Sequence, residues 1–496
     1  VRNFFRKNMY QRMVQDDDLP AVTHLLSKGA DVNDPDNDGN TPLHKASGQS
    51  VLQALLAFGG NTHLINTKNE NPRHIVATSS FDDKDEMLYI LHAVGAPRCK
   101  THLGSCTEGC APDGNNNGKH PCVQCISRDR HSFDDVLENV MLEALDPNRK
   151  PPALCMNPAP STGGRILCMD GGGMKGLVLI QILMAIQEAS GGRPILDLFD
   201  WIAGTSTGGI LALTLASGKT PRYTQGLCFR LKDAIFPGDK MARPYDEKPL
   251  EDILKKELGA KTVMTDIKGI KVFVTATMID RSPADLHLFR NYESPEQLAK
   301  TKPDTKFNFE IKPPNEQLAW KAGRATGAAP YFYKALDQFV DGALVANNPT
   351  LDVLTEIEEY RTILRTLDQC SDCPKPGVVV SLGTGRSPVT QKEVTDFEPD
   401  GIWNYLLSTQ IVASVGLVQL LVEQACMSDN RTVDRARAVC SMSDIPYFRL
   451  SPQLSQDVEL DEKDDEILVK MMWETMVYIK EKKDAIQKLA NLLTHG

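Results

Sequence analysis

Long uninterrupted apolar stretches are scarce in this chain, and no segment reads cleanly as a membrane span. The nearest candidate, Gly401 to Val422, lacks charged side chains but is broken by Asn404, Ser408, Thr409, Gln410 and Gln419. A buried or interface helix suits it, with a helix lying against a membrane or a second subunit as the alternative. Positive charge is also in deficit. With 55 Lys and Arg against 65 Asp and Glu, the formal net charge is −10, which argues against nucleic acid as a general partner because phosphate contacts need a basic face. The 12 cysteines are spread over 496 residues and make no compact disulfide framework, so a reducing, cytoplasmic compartment is expected. Val1-Arg2-Asn3-Phe4-Phe5-Arg6-Lys7 has no apolar signal core. It also lacks an initiator Met, so the chain is expected to be a piece of a longer one. Beyond position 206 the sequence has His287 and His495 and no further histidine.

What is present is globular: 41% of residues are hydrophobic and 24% charged, enough chain for about two to four domains. Residues 19 to 98 hold an internal repeat, visible on aligning Leu25-Leu26-Ser27-Lys28-Gly29-Ala30, Leu55-Leu56-Ala57-Phe58-Gly59-Gly60 and Leu91-His92-Ala93-Val94-Gly95-Ala96. Asp38-Gly39-Asn40-Thr41-Pro42-Leu43-His44-Lys45-Ala46 stands between the first two, and Asn71-Pro72-Arg73-His74 echoes it in degenerate form. A T-P-L-H-x-A turn at a period near 33 residues resembles the ankyrin repeat. Each such unit is a helix pair that cannot bury its apolar face alone, so further repeats upstream and a protein-binding role are expected.

Residues 99 to 164 read as a linker with an insert, turn-rich at Ala111 to Gly118 and proline-marked at Pro151-Pro152, Pro158 and Pro160. Within it Cys106, Cys110, Cys122 and Cys125, with Cys99 and His120 nearby, have spacings that can make a small zinc site. Free buried thiols explain the same residues.

From residue 165 onward, short apolar runs alternate with helical patterns, the signature of an α/β layer fold. Strands are expected at Arg165–Met169, Leu198–Ala203, Lys271–Met278, Leu286–Arg290, Gln338–Val340 and Gly377–Leu382. A long closing helix is expected over Asp461 to Leu493, its apolar stripe running through Leu468, Met472, Met476, Ile479, Ile486 and Leu493. Core packing explains that stripe, and a calmodulin-target helix is the alternative.

The chemistry centres on Gly204-Thr205-Ser206-Thr207-Gly208-Gly209, set between a buried strand and a buried helix. A serine among glycines at such a corner is the nucleophile-elbow pattern, in which a tight, strained turn demands small neighbours. Upstream, Asp170-Gly171-Gly172-Gly173-Met174-Lys175-Gly176 follows a strand and opens a helix, forming a cradle of backbone amides. Gly171, Gly173 and Gly176 satisfy G-x-G-x-x-G, with Asp197 and Asp200 about where a ribose-binding acid would fall. That nucleotide reading leaves Ser206 without purpose. An oxyanion hole explains both turns. His287 sits in an alternating, strand-like stretch and His495 is the penultimate residue, so a Ser-His-Asp triad is poorly supplied. A carboxylate acting directly on the serine is the economical alternative. The best candidate is Asp341 in Phe339-Val340-Asp341-Gly342-Ala343, though Asp-Gly alone is a turn signal.

Together, Asp-Gly-Gly-Gly-Met-Lys-Gly at 170–176, Gly-Thr-Ser-Thr-Gly at 204–208 and Asp-Gly-Ala at 341–343 resemble the patatin-like phospholipases. Gly327-Ala328-Ala329-Pro330 and Ser381-Leu382-Gly383-Thr384-Gly385 are similar to further blocks of that family. With ankyrin repeats in front, the resemblance extends to its group VI, calcium-independent phospholipases A2. It implies a patatin-like three-layer α/β/α domain over 165–496, preceded by all-α ankyrin repeats over 1–98 and the 99–164 insert. It implies Ser206 as nucleophile and Asp341 as base, with an oxyanion loop of Gly171, Gly172, Gly173 and Met174. The elbow would comprise Gly204, Thr205, Thr207 and Gly208, and Lys175 stands where the family has a basic residue of open role. The implied reaction hydrolyses the sn-2 acyl ester of glycerophospholipids at a membrane surface, with no required cofactor and no calcium. Homodimerisation, ATP as a modulator, calmodulin inhibition and peripheral membrane association also follow from the resemblance. The rival from another class is an ankyrin scaffold carrying a non-catalytic nucleotide-binding module.

Overall fold

The computed structural model describes residues 2–120, 164–238, 243–300, 312–367, 375–388 and 431–495, together with 137 and 140. Gly401 to Val422 and Cys122 and Cys125 lie outside the described residues. Among the described residues no helix is long and apolar enough to cross a membrane.

The N-terminal part is a stack of short helices: α1 (Arg2–Gln15), α2 (Leu19–Ser27), α3 (Pro42–Lys45), α4 (Gln49–Ala57), α5 (Pro72–Thr78) and α6 (Lys84–Ala93). Local chemistry sets the boundaries. Proline occupies the first turn of α3 and α5, where its missing N–H costs nothing. Gly29, Gly59 and Gly95 follow α2, α4 and α6 at φ near +90°, which lets the chain leave each helix through the left-handed region. The 99–120 segment departs from a plain linker: Cys99, Cys110 and Ala111 are buried, and Gly109 approaches Leu88 and Ala77 so closely that a methyl group would not fit.

The second part is a seven-stranded mixed sheet. Its strands are β1 (Gly164–Met169), β2 (Trp201–Thr205), β3 (Lys271–Met278), β4 (Asp285–Arg290), β5 (Phe339–Asp341), β6 (Pro376–Leu382) and β7 (Tyr447–Leu450). The order is β4-β3-β2-β1-β6-β7, with β5 also on β3. β1, β2, β6 and β7 run parallel to their neighbours, and β4 and β5 pair antiparallel with β3. The central strands are apolar throughout because both faces are covered. Along β1, Leu167 and Met169 join the core beneath the Gly176–Ala189 helix, whereas Ile166 and Cys168 join the core beneath the Thr350–Thr366 and Arg431–Met442 helices. Three layers result, helices on either side of one sheet.

Three expectations need correction. The strand expected at Leu198–Ala203 is Trp201–Thr205, because Leu198 ends a helical turn and Asp200 bends the chain by accepting from Arg165 N at 2.8 Å. β7 has no counterpart among the expected strands. The long closing helix is two helices, Asp465–Glu481 and Lys483–His495. Asp464 caps the first through Glu466 N and Ile467 N, and Asp461 is drawn away to Arg243 and Tyr245. The apolar stripe is core: Leu468 and Met472 are fully buried, and Trp473 Nε1 donates to Ile90 O of α6 at 3.3 Å.

Candidate active site

Ser206 sits where β2 ends and the Thr207–Ala216 helix begins, at φ 54° and ψ −125°. A non-glycine residue held there stores about 1–3 kcal/mol, and the surroundings impose it. Ser206 N donates to the Thr326 hydroxyl at 2.8 Å. The glycines beside it are steric necessities: a Cβ on Gly204 would lie 2.3 Å from Gly208 O, and one on Gly208 would lie 2.4 Å from Met169 O. Thr205 is tied to Thr275 Oγ1 at 2.7 Å and Ala346 O at 2.6 Å, and Thr207 Oγ1 donates to Gly173 O at 2.9 Å. The helix behind the serine directs its N-terminal dipole at the hydroxyl.

Sheet register delivers the partner. On β3, Thr275 pairs with Thr205, the last residue of β2, and the next residue, Ala276, pairs with Asp341, the last of β5. β2 and β5 therefore approach head-on along one edge of β3. This brings the Asp341 carboxylate to the Ser206 hydroxyl, which donates to it. Asp341 is 1% exposed, and its Oδ1 also accepts from Ala343 N at 2.8 Å. Burial pushes this carboxyl up to about 7, against the lesser pull of the Ser206 and Ala343 hydrogen bonds. The carboxyl is thereby held near neutrality, the range in which a general base works best.

The glycine turn after β1 closes the third side. Gly171 presses against the serine, since a Cβ there would lie 2.9 Å from Ser206 Cβ and 2.3 Å from Asn347 Oδ1. Two of the four expected oxyanion donors are already committed: Gly171 N donates to Asn347 O at 3.2 Å, and Met174 N to Leu460 O at 2.8 Å. The amides of Gly172 and Gly173 donate to no described residue, so of the four expected donors these two are uncommitted. Gly173, at φ 57°, admits no side chain, because Leu460 O would lie 2.1 Å from its Cβ. Lys175 is half-buried at the start of the following helix, and its ammonium pairs with no described residue.

Sequence reasoning missed the frame of this turn. Asp170, fully buried, accepts from Arg449 Nη2 at 2.6 Å, and Arg449 Nη1 reaches Ser381 Oγ at 3.0 Å. Thr384 Oγ1 donates to Gly171 O at 3.2 Å. Ser381 and Thr384 lie in a block marked by the sequence itself. Thr326 stands just before another, whereas Arg449 and Leu460 carry no signal.

The structure separates His287 from this chemistry. It is packed against Phe289 and Phe339 with ring centroids at 4.5 and 5.1 Å, and its Nε2 is buried without a partner among the described residues. Burial holds it down to about 3, so it stays neutral. The nucleotide reading also lacks its acid. Asp200 precedes β2 and is paired with Arg165 at 2.8 Å, at the opposite end of the parallel strands from the glycine turn that follows β1.

Residues 167–354 match the family model described as patatin-like phospholipase, and residues 10–65 match ankyrin repeats. The 85/88 kDa calcium-independent phospholipase A2 of Rattus norvegicus is 46% identical over 76% of this chain and 46% of its own length. The Mus musculus protein of the same name is 46% identical over 72% of the chain and 44% of its own length. An intracellular phospholipase A2 of Caenorhabditis elegans is 31% identical over 96% of the chain and 43% of its own length. The chain thus spans less than half the length of these relatives.

Proposed function

We propose that this chain, which belongs to the patatin-like phospholipases and carries ankyrin repeats ahead of the patatin domain, is a calcium-independent phospholipase A2 working through a Ser206–Asp341 dyad. The observation that carries the reading is the register of β3, which abuts the nucleophile and a buried, near-neutral carboxylate under two uncommitted glycine amides. Ser206 Oγ attacks the sn-2 carbonyl carbon while Asp341 takes its proton. The amides of Gly172 and Gly173 receive the oxyanion. Asp341 then returns the proton to the departing glycerol oxygen, releasing a lysophospholipid and leaving acyl-Ser206. Water, deprotonated by Asp341, attacks the acyl-enzyme, and collapse frees the fatty acid and the serine. Calcium is not required, because backbone amides perform the charge stabilisation that a metal performs elsewhere.

Access from a lipid surface suits the rim. Leu344 and Val345, three and four residues past Asp341, and Tyr331, just after the 327–330 block, are exposed apolar side chains. Peripheral membrane association at this rim, homodimerisation, ATP modulation and calmodulin inhibition belong to the same proposal. Calmodulin would not engage the Asp465–Glu481 helix while Leu468 and Met472 remain in the core. The deciding experiment pairs a fluorophosphonate probe with product analysis on a phospholipid bearing distinguishable chains. Labelling that disappears in Ser206→Ala, and release of the sn-2 acid undiminished by a calcium chelator, are expected. A folded protein that fails to label refutes the dyad, and exclusive sn-1 release refutes the positional assignment.

A further inference from the structure

The degenerate second repeat has chemistry of its own. In the first repeat, the His44 ring is consumed by the repeat: Nδ1 faces Thr41 N at 3.1 Å and Oγ1 at 2.9 Å, and Nε2 faces Glu70 O at 3.0 Å. In the second, Asn71 replaces the threonine and its side chain caps His74 N at 2.8 Å, leaving the ring free to turn elsewhere. His74 Nδ1 lies 3.3 Å from Cys99 Sγ and 3.8 Å from Cys106 Sγ. Cys110 completes the group, and all four ligand atoms lie within 4.8 Å of one another.

We propose that His74, Cys99, Cys106 and Cys110 bind a structural zinc ion that clamps the 97–118 segment onto the last ankyrin repeat. Zinc–sulfur bonds of about 2.3 Å and zinc–nitrogen bonds of about 2.0 Å place tetrahedral ligand atoms about 3.5–3.8 Å apart, close to the distances here. The other ring nitrogen is oriented as zinc-bound histidines require: Nε2 faces Ser105 Oγ at 3.1 Å and Glu70 Oε1 at 3.7 Å. Backbone amides aim at two of the sulfurs, Leu103 N at Cys106 and Thr107 N at Cys110, both at 3.3 Å. Thiolates accept such bonds far better than thiols do.

The surroundings complement the net charge of three thiolates and one divalent cation, which is one negative. Arg73 is 1% exposed, and its guanidinium donates to Gly109 O at 2.8 Å and Asn117 Oδ1 at 2.9 Å. Arg98 donates to Glu108 O and Asn117 Oδ1. Neither meets a carboxylate among the described residues. Binding exchanges three thiol protons for the metal and takes the neutral imidazole as it stands. The segment has no helix or strand of its own, yet it packs against α5 and α6, with Gly109 on Ala77 and Leu88 and Thr107 Oγ1 donating to Ala77 O. A metal supplies what so short a stretch cannot obtain from apolar burial. Cys106 and Cys110 are two of the four cysteines expected from the sequence, and Cys99 stands near them there; His74 is the addition, and His120 packs against Tyr89 instead.

The test is elemental analysis of the intact protein after exhaustive dialysis, followed by cobalt exchange and limited trypsin digestion. About one zinc per chain is expected, with thiolate-to-cobalt charge-transfer absorption after exchange. Cys99→Ser or Cys110→Ser should lower the metal content at least tenfold, and Cys122→Ser with Cys125→Ser should leave it unchanged. A strong zinc chelator should open Lys100 and Lys119 to trypsin, and added zinc should close them. Metal-free native protein overturns the proposal, as does a disulfide among these cysteines by mass spectrometry, or zinc lost in the Cys122/Cys125 variant alone. None of these readouts depends on ester hydrolysis.

Discussion

Replacing Asp341 by asparagine is expected to abolish turnover while making the protein harder to unfold at alkaline pH. The carboxyl moves from 3.8 in the unfolded chain to about 7 in the folded one, a difference of about 4 kcal/mol. Because the folded-state value is raised, the native protein binds the extra proton between these limits. Stability from this group is therefore full below about pH 4 and is lost as pH climbs to about 7. Above that, the native fold carries a buried charge. The asparagine side chain has no charge to bury and retains an oxygen that can accept from Ala343 N and the Ser206 hydroxyl. For a chain of this length the unfolding entropy is about 1 kcal/mol per degree, so Asp341→Asn should melt up to about 4 °C above wild type at pH 8.5. At pH 4 the two should coincide. In the same samples, fluorophosphonate labelling should fall by at least about a thousandfold, and the wild-type labelling rate should drop about tenfold per pH unit below about 7. Melting curves displaced equally at both pH values would refute the burial argument. Substantial labelling by the asparagine variant would refute the base assignment.

His287→Ala should retain most of the specific activity despite some loss of stability, since its ring touches Phe289 and Phe339 and not the serine. An effect as large as that of Ser206→Ala would overturn the dyad. Gly173→Ala places a methyl against Leu460 O, so it should slow labelling by about 100- to 1,000-fold with an unchanged circular dichroism spectrum. Arg449→Met removes the guanidinium that pairs with the fully buried Asp170 and should cost about 3–5 kcal/mol in urea unfolding. Adding Asp170→Asn should recover most of that loss.

How much of this was legible in the sequence differs by element. The elbow could be read because tight packing leaves glycine as the sole option at Gly204 and Gly208, and such necessity shows in composition. The absence of a suitable histidine pointed to Asp341 for the same kind of reason. The two committed oxyanion donors were invisible, because Gly171 N and Met174 N are taken by Asn347 O and Leu460 O, carbonyls far along the chain. Arg449 was hidden likewise: an arginine inside a four-residue edge strand gives no hint of a buried carboxylate 279 positions away. The break at Lys482 has no proline or glycine to announce it and follows from two packing partners, α4 and the Gly176–Ala189 helix. The proposed metal site shares Cys106 and Cys110 with the set that spacing singled out, and spacing within a loop cannot disclose a histidine held by the preceding repeat.

The ends of the repeat helices have a consequence for how this architecture can vary. Arg230 donates to Ser27 O at the end of α2, Gln181 and Gln225 to Ala57 O at the end of α4, and Lys480 to His92 O in the last turn of α6. One apolar core runs from Val22 and Leu52 into Leu179 and Met472. Repeat arrays ordinarily tolerate gain or loss of a module because each touches only its neighbours. Here successive modules are keyed to fixed sockets on the patatin domain, so removing or duplicating one of them would throw the others out of step. Variation in repeat number is therefore expected only on the far side of α2, with the modules closest to the patatin domain kept with it as a single unit.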